Sequence, residues 1–208
     1  MIKFEKVSMW QFYKSYKNLN GELTEEEIEK TYKELKIPER ATKKSAGYDF
    51  FAPFSFSLAP GETIKIPTGI RAIMKDDMFL AIFPRSGLGF KYREQLDNTV
   101  GIIDADYCES DNEGHIFLKI TNDSKTDKVM EVEKGKGFAQ GIFMKYYTVD
   151  NDKVNASRNG GFGSTDTLKD KEIMTETDQY GPVYFEPYTS STTSAKITFP
   201  QYEKVTLS

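Results

Sequence analysis

Hydrophobic positions recur at helical spacing near the start of this chain and at strand spacing after it. Ile28, Tyr32 and Leu35 fall on one helical face. Thr24 stands three residues before Glu27, the arrangement of a capping box, with Leu23 and Ile28 placed as a hydrophobic staple. Lys33 and Lys36 occupy the last turn and Pro38 stops it, so the pattern predicts a short helix over about 24–36 within a first unit of residues 1–40. Its single apolar stripe is expected to pack on the main domain, partner binding being the alternative.

From about residue 45 to 166 the grammar is β. Phe54-Ser-Phe-Ser-Leu58 alternates with period two, Pro60-Gly61 turns the chain, Thr63-Ile-Lys-Ile66 resumes, and Phe79-Leu-Ala-Ile-Phe83 reads as a buried strand. Many short strands with no helices between them predict a sandwich, barrel or jelly roll. Residues 167–208 are Ser/Thr-rich with scattered aromatics (Tyr180, Tyr184, Phe185, Tyr188, Phe199, Tyr202), which predicts partial β order rather than a purely disordered tail.

Composition narrows the function. A chain of 208 residues supports one well-cored domain with appendages. With 28 Lys+Arg against 32 Asp+Glu, it lacks the cationic excess of a duplex nucleic-acid binder, whereas a small anionic ligand needs only local donors. One cysteine, Cys108, and one histidine, His115, supply neither an internal disulfide nor a usual zinc set, and a reducing compartment fits best. No stretch approaches a membrane span or a signal h-region, so a cytoplasmic location is expected.

Five segments gather glycine, acid and hydroxyl residues where strands should end: 46–52 (AGYDFFA), 84–91 (PRSGLGFK), 98–107 (NTVGIIDADY), 135–140 (GKGFAQ) and 158–166 (RNGGFGSTD). In the last, Arg158, backbone N–H groups and the hydroxyls of Ser164 and Thr165 suit a polyphosphate, although no Walker lysine is present; a mobile glycine-rich tail reads equally well. Phe162, flanked by glycines, offers a face to a base, a contact worth roughly 1–3 kcal/mol in single-strand binders. Pro84-Arg-Ser-Gly is a second cation, hydroxyl and amide group, or simply a turn. Asp104 and Asp106 suit a metal, a general base or an arginine partner, and Gly101 permits close backbone approach.

Read together and in order, the five segments resemble the five motifs of the trimeric dUTPase family, and 36–49 (KIPERATKKSAGYD) is similar to the lead-in to the first of them. The helical insert before it looks like versions carried by bacteria and their phages. The resemblance implies an all-β, distorted jelly-roll β-barrel over residues 1–166 and a homotrimer whose active sites lie between subunits. Motifs one, two and four would come from one subunit, motif three from a second and motif five from a third. The implied reaction is hydrolysis of dUTP to dUMP and pyrophosphate by water attack on the α-phosphorus.

Carried over, Asp104 is the base that orients and deprotonates the water, and Asn98 helps hold it. Tyr107 lies against the sugar and excludes a ribose 2′-hydroxyl. The hairpin from Asn98 through Gly101 to Ile103 reads uracil with backbone groups. Arg85, Ser86, Gly87 and Gln140 bind the phosphate chain, with the Ser86 hydroxyl near the oxygen bridging α and β. The arm 158–166 closes over the nucleotide, with Arg158, Ser164 and Thr165 at the γ-phosphate, Phe162 on the base and Gly163 among the substrate-binding residues. The implied cofactor is Mg²⁺, held chiefly by the triphosphate, with a water-mediated contact from Asp49. Asp106 is assigned to a structural ion pair at the subunit interface.

The chain departs from the family pattern in three places. Cys108-Glu109 replaces the usual Arg-Gly, and an acidic turn follows at Ser110–Glu113. Motif five is one residue short and ends in Asp166, and residues 167–208 continue past the usual end as an extension expected to cover edge strands or bind a partner. Two other functions are carried: a dCTP deaminase of the same fold, disfavoured by the Asp-x-Asp-Tyr gate, and a phage-type regulator that captures a repressor protein. Cys108 and His115 are expected to be structural.

Overall fold

The computed structural model describes residues 1–19, 24–155 and 158. The expected tail strands, the staple residue Leu23, and Phe162, Gly163, Ser164 and Thr165 of the arm all lie outside the described residues.

Among the described residues every strand pairing is antiparallel, in four small sheets. In the largest, β2 (Tyr48–Phe51) lies beside β11 (Gly137–Lys145), then β6 (Met78–Pro84), then β8 (Gly101–Asp104). A second sheet joins β4 (Thr63–Pro67), β9 (Phe117–Asn122) and β7 (Glu94–Leu96); β1 (Lys3–Lys6) pairs with β5 (Ile70–Ile73), and β3 (Phe56–Leu58) with β10 (Met130–Val132). Alternate residues turn inward, so Phe50, Ile66, Leu80, Ile82, Ile120 and Phe138 meet in one core, each at most 1% exposed. Truncating one of them to alanine costs about 2–5 kcal/mol, the transfer term plus the cavity left behind. The packed sheets form a distorted jelly roll.

Two helices stand between β1 and β2. α2 (Glu25–Glu34) has Thr24 as N-cap: the Glu27 N–H donates to the Thr24 hydroxyl and the Thr24 N–H to the Glu27 carboxylate, closing the capping box. α1 (Met9–Leu19) has no counterpart in the sequence reading. Its signals were a cap at Ser8, whose hydroxyl accepts the Gln11 N–H, and the apolar pair Phe12 and Tyr16 at i, i+4.

Val7, Phe12, Tyr16, Ile28 and Leu35 form a second cluster, joined to the main core through Phe54. This cluster sits on Gly69, where a Cβ would stand 2.3 Å from a Leu35 methyl, at a φ of +73°. His115, fully buried, fastens the same junction. The Gly69 N–H donates to Nε2 (2.8 Å), so the ring proton is on Nδ1 and is given to the Ser15 hydroxyl at 3.1 Å. Burial pushes the imidazole pKa down to about 4, against the opposing charge of Glu113.

Candidate active site

The segments that resemble motifs one, two and four meet at one pole of the large sheet. Gln140 on β11 faces Asp49 on β2 and Phe83 on β6, because β11 is the strand shared by both pairings. Arg85 follows the last residue of β6, and its guanidinium bridges the Asp49 carboxylate (3.1 Å) and the Gly137 carbonyl (3.0 Å). The Gln140 amide donates to the Pro84 carbonyl at 3.0 Å, which holds its side chain against the turn. Gly47 leaves room for that side chain: a Cβ would stand 2.5 Å from Gln140 Oε1 and oblige the amide to shift.

Ser86 and Gly87, both exposed, open the short helix α3 (Ser86–Tyr92), whose first N–H groups have no intrahelical acceptor and whose cap, Arg85, makes no side-chain capping bond. A cation, a hydroxyl, free amide donors and a carboxamide thus converge on one solvent-facing turn, a donor set that suits a phosphate chain.

The segment that resembles motif three forms a second group. β8 pairs with β6 from Gly101↔Ile82 to Asp104↔Phe79, and a Cβ on Gly101 would stand 3.1 Å from the Ile82 Cβ. Thr99, at a φ of +65°, turns the chain between β7 and β8 beside the exposed Asn98. Asn98, Gly101, Ile103, Asp104, Tyr107 and Arg158 border a cavity of about 430 Å³.

Tyr107 lies in a 3-10 turn (Ala105–Glu109) and is 6% exposed; burial raises its phenol pKa. Arg158 pairs with the Asp104 carboxylate and, at 2.8 Å, with Asp106. It therefore stands with the carboxylates in this chain and not beside the Arg85–Gly87 turn.

The two groups are far apart. Asp104 is paired with Phe79, five residues down β6 from Pro84, and at about 3.3 Å per residue that places it about 17 Å from the phosphate-type turn. No side chain at either end spans that distance.

The profile of the dUTPase family matches residues 33–167. This chain belongs to the dUTPase family. The deoxyuridine 5'-triphosphate nucleotidohydrolase of Lactococcus lactis is 43% identical over 134 residues, 63% of this chain and 88% of that one. Among solved structures, the dUTPase of Streptococcus mutans is 30% identical, with a TM-score of 0.52 over 72% of this chain and 99% of that one. A mutant dUTPase of phage phi11 of S. aureus, which coordinates a structural Mg(II) ion, shares the fold at 18% identity and a TM-score of 0.50 over 75% of this chain and 97% of that one.

Within this dUTPase the acidic turn after Tyr107, noted in the sequence as a departure from the family pattern, is ordered by contacts that the sequence did not reveal. Asn112 donates to the Tyr107 hydroxyl at 2.8 Å, and the Glu113 carboxylate accepts from the Ser8 N–H at 2.7 Å. Cys108 donates to the Ala105 carbonyl, and its thiol pKa is raised, first by burial and then by Glu109, which makes it a poor nucleophile. Glu94, 2% exposed and next to the αL cap Arg93, is the other residue missed; neither carboxyl oxygen has a hydrogen-bond partner among the described residues. No described helix is long and apolar enough to cross a membrane.

Proposed function

We propose that this dUTPase hydrolyses dUTP to dUMP and pyrophosphate at sites completed by neighbouring copies in a homotrimer. The observation that carries the reading is the separation within one chain: the phosphate-type donors Arg85, Ser86, Gly87 and Gln140 sit about 17 Å along β6 from Asp104. Since a base must lie within hydrogen-bond reach of the water that attacks the α-phosphorus, both halves serve one nucleotide only if they come from different copies.

In this arrangement Asp104 accepts the proton of the attacking water, and Asn98 holds that water in line. The hairpin through Gly101 and Ile103 presents backbone donors and acceptors to uracil; a wrong base leaves buried groups unpaired at about 1–3 kcal/mol each. Tyr107 backs the deoxyribose. Ser86 donates to the bridging oxygen on which charge builds as the bond to α breaks. Arg158 must leave its own Asp104 and Asp106 to reach a neighbour's nucleotide, with Phe162, Gly163, Ser164 and Thr165 completing the closure.

A single partly exposed carboxylate, Asp49, borders the phosphate turn, and Mg²⁺ suits such a donor set because it keeps several waters and takes its remaining ligands from the triphosphate. When bound, the ion neutralises charge on the phosphate oxygens.

The test is pyrophosphate release from dUTP, UTP, dCTP and dTTP with Mg²⁺, alongside sedimentation of the protein. Turnover confined to dUTP by a trimer is expected. An active monomer would sink the shared site, and ammonia released from dCTP would replace the reading with deamination.

A further inference from the structure

Resting on that reading of Tyr107, we propose that Asn112 is a positioning residue that sets discrimination against ribonucleotides by locking the Tyr107 ring. The Tyr107 hydroxyl is held from two sides: it donates to the His115 carbonyl at 3.0 Å and accepts from Asn112 Nδ2 at 2.8 Å. The orientation of the Asn112 amide is dictated by its other end, where Oδ1 accepts the Gly114 N–H at 3.1 Å, leaving only Nδ2 for the phenol.

The loop that carries Asn112 is itself closed. Ser110 N–H donates to the Tyr107 carbonyl (3.1 Å), Glu113 N–H to Ser110 (2.7 Å), and His115 N–H to the Asn112 carbonyl (3.0 Å). Gly114 passes so near the Cys108 backbone that a Cβ would stand 2.5 Å from its Cα. Glu113 then ties the loop to the start of α1 through the Ser8 N–H (2.7 Å) and hydroxyl (2.5 Å). The lock therefore rests on the helical unit, far along the sequence from the gate it holds.

Tyr107 lines the same cavity as Asp104. A gate that rejects one extra hydroxyl works only if the ring cannot retreat by the size of an oxygen atom. One hydrogen bond leaves the phenol oxygen free to swing about it, whereas two fix the position of that oxygen and with it the depth of the ring. Removing the Asn112 donor forfeits one ordinary, partly buried hydrogen bond, which corresponds to roughly a fivefold to tenfold fall in selectivity.

The experiment compares kcat/KM for dUTP and UTP in the wild-type trimer, Asn112→Ala, Tyr107→Phe and the double variant. The expected result is a dUTP-over-UTP ratio reduced roughly fivefold to tenfold in Asn112→Ala, with UTP gaining and dUTP changed less than about threefold. The double variant should be no less selective than Tyr107→Phe alone, because both changes remove the same bond. Equal losses on both substrates at an unchanged ratio, or additive effects in the double variant, would overturn the proposal. If Asn112→Ala does not fold, Asn112→Ser and Tyr107→Phe carry the same comparison. A wild-type protein that cleaves UTP as well as dUTP defeats the underlying reading of Tyr107 instead.

Discussion

Replacing Glu94 by Gln should remove a stability loss that the native protein suffers as pH rises. Glu94 begins β7 opposite Asn122, whose side-chain amide is already committed to the Leu58 and Lys128 carbonyls. Burial drives the Glu94 pKa from 4.5 up to about 8; the nearby Arg85, whose backbone N–H makes no hydrogen bond to the carboxyl, pulls it down through its dipole and charge by less than burial pushes it up. The native state therefore holds a proton that the unfolded chain releases. From pH 4.5 upward stability falls by about 1.4 kcal/mol per pH unit until the native carboxyl itself ionises near pH 8. The penalty reaches about 3 kcal/mol at pH 7 and about 5 kcal/mol when both states are charged.

Gln keeps the shape and does not titrate, so the variant-minus-wild-type difference in unfolding free energy should be flat below pH 4.5 and climb to about pH 8. Denaturant unfolding at one protomer concentration from pH 4 to 9 measures it, and working with the difference cancels every other titrating group. One of those groups is His115, whose pKa is depressed from 6.5 to about 4. Its contribution is complete above 6.5 and is lost as pH falls toward 4, about 3 kcal/mol in all, so in the wild type it offsets Glu94 between 4.5 and 6.5. Parallel profiles for the two proteins would refute the argument, because they would mean that Glu94 is ionised in the fold.

Three further outcomes are expected. Asp104→Asn should cut dUTP turnover at least ~100-fold while a non-hydrolysable analogue still binds, as titration calorimetry would show; near-normal turnover would remove Asp104 as base. Gly47→Ala should displace the Gln140 side chain, whose Oε1 lies 2.5 Å from the new methyl, lowering kcat/KM roughly tenfold with little change in melting temperature. Wild-type kinetics there would place Gln140 outside the site. A chain ending at residue 157 should sediment as the proposed trimer and lose roughly 100-fold or more in activity, and a fully active truncation would show that the arm plays no part.

Much of this protein was legible in its sequence because the deciding interactions are local. The capping box at Thr24 and Glu27 spans three residues, and the alternation through Phe56, Leu58, Ile64 and Ile66 marks strands whatever they pair with. The five motifs could be read as a set because each is a contiguous stretch whose chemistry sits in its residue types. Even Glu94 left a trace, since it shares one face of β7 with the buried Leu96.

Tertiary structure alone decided how those pieces stand to one another. Asp49, Arg85 and Gln140 converge because β11 pairs with both β2 and β6, while Asp104 is carried away from them by the length of β6. The grip of Asn112 on Tyr107 spans only five residues, but the support beneath it, Glu113 on Ser8 and His115 on Ser15, joins positions 105 and 100 residues apart. Periodicity and composition report what a segment prefers within a few residues of itself. Which distant segment it meets is settled when the chain buries its apolar faces together, and that choice belongs to the whole fold.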